Sequence, residues 1–239
     1  MILTSCAWAG ELRVFSYNIH HGVGLDGKLD LNRIAEVIKK QKPDLVALQE
    51  VDKVVPRSGK VDQAAVLAKL LGMHYAYGKC IDLNGGEYGN AILSKYPIQD
   101  TMVHKLPGPG ESRAVLEAII HIHGKKLSFA SVHLDWEKDE TRVGQVQAME
   151  KVMSLRQHPV IMAGDFNAIP DSDTMTHVKS TWKITTKSGA ALTYPAGDPK
   201  KEIDYIIYRG FETAKASCLV LDEAVASDHR PLIGVIIVP

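Results

Sequence analysis

The chain has 239 residues, 45% of them apolar, and its 28 Lys+Arg balance its 28 Asp+Glu. That length suits one large domain, and a formal charge of zero argues against a protein that grips nucleic acid backbones nonspecifically, because such affinity rests on a basic surplus that releases counterions. Cys6, Cys80 and Cys218 are too far apart for a disulfide framework or a structural zinc, and no stretch approaches the roughly 18 apolar residues of a membrane span.

Residues 1–10, "MILTSCAWAG", read as a tail ahead of a single domain over 11–239. Leu3-Thr4-Ser5-Cys6 resembles the lipobox of bacterial lipoproteins, although the basic segment and most of the apolar segment of a signal are missing. Two expectations stay open: a trimmed signal with Cys6 as lipid anchor of an exported protein, or a chance match in a cytoplasmic one. "ELRVFSYNIHHG" (11–22) alternates like a strand ending at Asn18. "DLNRIAEVIKKQ" (30–41) carries a helical apolar stripe with Asp30 as N-cap, and Pro43 stops it. "DLVALQE" (44–50) reads as a buried strand, and "VDQAAVLAKLLG" (61–72) as a helix closed by Gly72. Several strands follow, with hairpin signals at Gly85-Gly86 and Gly124-Lys125. A helix is expected from about 140 to 155, then the strand "PVIMAGDFN", an irregular stretch over 168–202, and strands at 203–209, near 213–221 and at 231–238. Helices interspersed with many strands, without repeats or low-complexity linkers, point to one α/β domain with two packed sheets and helices outside them.

Polar residues recur where these strands stop or start: Asn18, Glu50, Asn90, His133, Asp165, Asn167, Asp204, Asp228 and His229. Each alone has an ordinary reading as a turn, cap or solvated residue. As a set they stand at strand termini, where α/β folds assemble their sites.

The motifs "YNIHHG", "DLVALQEVD", "YGNAILSKYPI", "SVHLD", "GDFNAIP", "IDYI" and "SDHRPL" occur in this order. Together they resemble the endonuclease/exonuclease/phosphatase superfamily, which includes pancreatic deoxyribonuclease, abasic-site endonucleases, neutral sphingomyelinases and inositol polyphosphate 5-phosphatases. The likeness spans about residues 11–237 and implies a four-layered α/β sandwich of two mostly antiparallel sheets flanked by helices. It also implies phosphoester hydrolysis with Mg²⁺ or Mn²⁺. Such chemistry needs charge neutralisation at the phosphate, a prepared water and a stabilised leaving oxygen.

By family position, Glu50 is the metal ligand, with Asn18 beside it and Asp228 near the metal or a partner histidine. Asp165 orients or deprotonates water, and Asn167 donates to a phosphate oxygen, reaching the same side if the segment stays extended. Asp204 orients His229 and favours its protonated form. His133 matches a histidine placed to protonate the leaving oxygen. Asn90, Arg113 and Arg57 are candidates for substrate contact; Arg113 has an equal alternative as a partner of Glu111 or Glu117. The sequence departs from some members where an acidic residue follows the first-strand asparagine by two. His20 and then His21 stand there, so either one ligand is lost or the histidines recruit Mn²⁺ or another borderline ion. Opposite facing of neighbouring strand residues argues against the second.

The substrate expected is the phosphoester of a lipid head group, sugar phosphate or small nucleotide. A nuclease, a phosphomonoesterase and a catalytically silent binding module are the alternatives. The neutral charge and 6% aromatic content give little grip on nucleic acid. A monomer without a dedicated protein partner is expected.

Overall fold

A computed structural model describes residues 10–211 and 215–238; the lipobox-like Cys6 lies outside them. In chain order the elements are β1 (Gly10–Asn18), α1 (Leu31–Lys40), β2 (Leu45–Lys53), α2 (Gln63–Leu71), β3 (His74–Leu83), β4 (Gly86–Ser94), β5 (Ile98–Lys105), β6 (Ala114–Ile122) and β7 (Lys125–His133). There follow α3 (Asp139–Met153), β8 (Val160–Asp165), α4 (Asp173–Thr181), β9 (Lys183–Ile184), β10 (Thr186–Lys187), β11 (Asp204–Arg209), β12 (Lys215–Val220) and β13 (Leu232–Val238).

The helices form where the apolar stripe and caps place them. The Asp30 carboxylate accepts from the Arg33 amide and Asp62 from the Ala65 amide, each satisfying an amide that has no intrahelical partner. Gly72 closes α2 in the left-handed conformation (φ 65°) that a residue with a Cβ adopts only at a cost. The stretch expected to be irregular holds α4 instead. Only Thr174, Met175 and Val178 of that helix are buried, too few for a readable stripe, and its start is set by Ser172, whose hydroxyl accepts from the Met175 amide.

One sheet has seven strands in the order β10-β12-β13-β1-β2-β4-β3, the other six in the order β5-β6-β7-β8-β11-β9. Pairing is mostly antiparallel. Each sheet contains one long parallel pair near its centre, β1 with β2 and β7 with β8. Three apolar clusters separate four layers. Leu12, Val14, Leu45, Ala47, Phe129, Ile161, Ala163 and Ile206 fill the space between the sheets. Phe15, Tyr17, Val46 and Leu48 pack outward with Ile34, Ile38 and Leu67 of α1 and α2. Ala130, Val132, Val160 and Met162 pack outward with Val146, Met149 and Val178 of α3 and α4. The central strands are buried on both faces, which is why they read as near-continuous apolar runs.

Strand alternation then decides where the polar ends point. Leu12 and Val14 face the other sheet, and the same row continues through Ser16 to Asn18. Phe129 leads through Ser131 to His133, Ala163 leads to Asp165, and Ile206 leads back to Asp204. At one end of the sandwich the inter-sheet core therefore turns from apolar to polar.

Candidate active site

Asn18 joins the two sheets at that end. Its buried amide donates to Glu50 Oε1 (3.0 Å) and to Asp165 Oδ2 (3.2 Å), and its Oδ1 accepts from the His20 amide (3.1 Å). Fully committed to protein partners, it braces the carboxylates, so the expected place beside the metal is filled as a support. The Ser227 hydroxyl donates to the Asn18 carbonyl (2.7 Å), tying the loop that carries Asp228 and His229 to the same strand end.

Glu50 reaches the site by a device that alternation does not foresee. Continuing the β2 pattern, Leu48 and then Glu50 would face the helices. The pairing with β4 slips between Leu48 and Val51, and Glu50 takes a left-handed φ of 57°. Such a bulge re-aims a side chain, at a backbone cost of about 1 kcal/mol for a non-glycine residue. Glu50 and Asp228 both line a cavity of about 660 Å³ together with Arg113, His133, Asp165, Asn167 and His229. Burial raises the Glu50 carboxyl, the Asn18 hydrogen bond opposes that rise, and the nearby Asp228 raises it further. Two carboxylates facing one cavity fit a divalent cation, which would supply the missing positive charge.

Asp204 lies opposite Asp165 in the β8–β11 ladder. His229 sits between them, with Nδ1 2.9 Å from Asp204 Oδ2 and Nε2 3.6 Å from Asp165 Oδ2. Burial alone would push the imidazole down, but Asp204, Asp165 and Asp228 outweigh it and hold it up to about 10. Asp165 is raised to about 7, first by burial and also by Asp204, against the opposing pull of His229 and the amides of Asn167 and Asn18. A carboxylate there is a strong base for its type. The donor atoms of Asp165, Asp204 and His229 fall within 4.8 Å of one another. Asp204 is bonded to His229 Nδ1, and Asp165 accepts from Asn18 and Asn167, which suits proton handling better than a cation cage.

His133 Nδ1 is 2.9 Å from Arg113 Nη1. Arginine only donates, so Nδ1 accepts and the proton sits on Nε2. Burial, Arg113 and His229 all push His133 well below its ordinary range, so it is neutral. Its Nε2 lies 3.5 Å from Asp165 Oδ2. At 3.5 and 3.6 Å neither imidazole completes a hydrogen bond to Asp165, so both N–H groups remain available to a phosphoryl oxygen.

Several expectations change. Asn167 is not extended: with φ 50° it forms a turn in which its amide donates to Asp165 Oδ1 (2.8 Å) and its side chain to the Leu134 carbonyl (3.1 Å). It still lines the cavity. Arg57 makes two 2.8 Å bonds to Asp52 and lies over the Tyr88 ring, so it supports the cavity wall through Tyr88 and does not line the cavity. Asn90 is buried and donates to the Ala114 carbonyl (2.9 Å), pinning β4 to β6 away from the cavity. Arg113 does line it, pairing with Glu111 at 3.2 Å, whereas Glu117 pairs with Arg156. His20 and His21 are not strand residues. The chain leaves β1 at Asn18 and both have left-handed φ (45° and 44°), bringing their rings to 4.4 Å. Trp136, Arg142, Tyr194 and Lys201 also line the cavity, and Tyr194 packs 4.9 Å from the His229 ring. They come from loops and a helix start that carry no strand-end signal.

A family model described as endonuclease/exonuclease/phosphatase family matches residues 15–229. The chain belongs to the endonuclease/exonuclease/phosphatase family. Its members are phosphoester hydrolases. Among relatives of this family member, protein cwh43 of Schizosaccharomyces pombe is 27% identical over 81% of the chain, which spans only 19% of that protein. The uncharacterised protein YbhP of Escherichia coli is 27% identical over 93% of this chain and 94% of its own. A mannosyl-6-phosphatase from Bacteroides thetaiotaomicron superposes with a TM-score of 0.75 at 18% identity, covering 95% of this chain and 99% of the other. The family's DNase I-like sandwich agrees with the fold expected from the motifs.

Proposed function

We propose that this family member is a divalent-metal-dependent phosphodiesterase acting on a small phosphoester: a lipid head group, sugar phosphate or nucleotide. The observation that carries the reading is the convergence of two hydrogen-bonded groups, Glu50–Asn18–Asp165 and His229–Asp204, whose facing ends, Asp165 Oδ2 and His229 Nε2, stand 3.6 Å apart and set a cation-facing carboxylate, a base and a charged imidazole side by side across the two sheets. Glu50 and Asp228 would hold Mg²⁺ or Mn²⁺, which neutralises phosphate charge when bound. Asp165 orients a water and takes its proton. The His229 cation donates through Nε2 to the phosphoryl oxygen that gains charge, while Asp204 fixes the ring and its proton. Asn167 still has one amide hydrogen for a phosphate oxygen. His133, neutral with its proton on Nε2, donates on the leaving side.

A cavity of about 660 Å³ is the size of a small-ligand site. It supports a compact substrate over duplex nucleic acid, as does the zero net charge. The mannosyl-6-phosphatase likeness keeps sugar phosphates among the candidates. The test is hydrolysis of bis-p-nitrophenyl phosphate and of p-nitrophenyl phosphate with EDTA, Mg²⁺ or Mn²⁺, followed by a panel of sphingomyelin, phosphatidylinositol, inositol phosphates, RNA and plasmid DNA. Metal-dependent diester cleavage is expected. Monoester cleavage alone would make it a phosphatase, and salt-sensitive plasmid cleavage alone a nuclease.

A further inference from the structure

His20 and His21 take no part in the chemistry assigned above, yet the fold invests in placing them. One ring nitrogen of each and a carboxylate oxygen of Glu50 lie within 4.8 Å of one another, close enough for small side-chain rotations to bring all three onto one cation. The His20 ring is oriented by its Nδ1, 3.1 Å from the Val23 carbonyl. A carbonyl only accepts, so the proton is on Nδ1 and the Nε2 lone pair is free, the arrangement by which metal-bound histidines are ordinarily fixed. The His21 Nδ1 is buried with no hydrogen-bond partner among the described residues, so no described protein group competes with a cation for it.

A single buried side chain aligns both arms of the cluster. Gln63 of α2 donates through Nε2 to the His21 carbonyl (2.6 Å) and accepts through Oε1 from the Asp52 amide (2.9 Å), two residues past Glu50. All three donor residues also hold left-handed backbone conformations.

We propose that His20, His21 and Glu50 form a nitrogen-rich cation position that takes a borderline first-row ion, of the Co²⁺ or Zn²⁺ kind, in preference to Mg²⁺. Two imidazoles and one carboxylate suit such ions, whereas Mg²⁺ seeks oxygen donors. The inference rests on Glu50 facing a cation, as in the function proposed above, but not on phosphoester chemistry.

The test is calorimetric titration of the chelator-stripped full chain with Co²⁺ and with Mg²⁺, alongside proton NMR of the Co²⁺-loaded protein. One Co²⁺ per chain is expected, bound about 100-fold more tightly than Mg²⁺, with two ligated imidazoles showing hyperfine-shifted resonances. His20→Asn and His21→Asn should each weaken Co²⁺ about 10-fold or more and leave Mg²⁺ within about 3-fold. The absence of ligated imidazoles in the wild-type spectrum would overturn the proposal whether or not the variants fold, and so would Co²⁺ affinity indifferent to both substitutions. Histidine-dependent Co²⁺ binding without phosphoester turnover by any ion would remove the hydrolase reading and keep this one. Mg²⁺-driven turnover with no ligated imidazole would do the reverse.

Discussion

Replacing Asp204 with Asn tests whether His229 is held as a cation by charge. The amide is nearly isosteric and its oxygen can still accept from Nδ1 at 2.9 Å, so the geometry is kept and the charge removed. At an effective dielectric of about 20, unit charges separated by 2.9 Å attract by about 6 kcal/mol, and the Asp165 contact at 3.6 Å contributes about 5. Burial offsets much of this. The net rise from 6.5 to about 10 corresponds to about 5 kcal/mol. Losing the larger attraction should return the imidazole to its ordinary range or below. A group whose folded pKa is raised stabilises the fold fully below its unfolded value and loses that contribution as pH climbs through the folded value. Wild type should therefore exceed Asp204→Asn in stability most below about pH 6.5, and the gap should close toward pH 10. The assay is ring-nitrogen NMR titration of His229 in both proteins, with urea unfolding at about pH 6 and about pH 9. Turnover near neutrality should fall about 100-fold or more. A His229 titration that is the same in the variant, or a stability gap independent of pH, would refute the reasoning.

Other consequences are direct. Asp165→Asn removes the proposed base and should lower diester turnover about 100-fold or more, about 3 kcal/mol, in steady-state assays; a drop under about 10-fold would make Asp165 a positioning residue. A Cβ on Gly164 would stand 1.9 Å from the Val132 carbonyl oxygen, between the strands that carry His133 and Asp165. Gly164→Ala should therefore destabilise the fold by about 3 kcal/mol in urea unfolding. Glu117 is inside the second sheet; burial works against its charge, but His104, Arg156 and Ser128 overcome that and lower it to about 2. Its stabilising contribution is present above about pH 4.5 and lost as pH falls toward 2, so the stability advantage over Glu117→Gln should narrow by about 1–2 kcal/mol between pH 5 and 3, after allowing for screening.

The fold was legible because its central strands are buried on both faces and its first helices carry caps and stripes. Most of the polar cluster was legible for a related reason. Asn18, His133 and Asp165 continue rows whose earlier members are apolar, and a polar residue ending such a row stands at a core edge. Glu50 breaks this logic, since alternation alone would send it toward the helices, and only the left-handed bulge returns it. Arg57 and Asn90 were drawn to substrate by residue type. Their own partners, Asp52 and the Ala114 carbonyl, hold them outside the cavity lining. The walls of the cavity were hidden for a different reason: Trp136 and Tyr194 come from loops whose path follows no periodicity. The neighbouring facing of His20 and His21 depends on two successive left-handed residues, a conformation that nothing in "NIHHG" announces before Gly22.

The proposed function places one cation beside Glu50, where it would serve groups brought together from both sheets. Titrating the full chain with Mn²⁺ while following its histidine ring resonances tests this most directly. One equivalent should broaden the rings of His229 and His133 along with His20 and His21, and leave those of His104 and His177 sharp, since these pair with Glu117 and Glu150 elsewhere. Broadening that spares His229, or that falls equally on all the rings, would contradict the account.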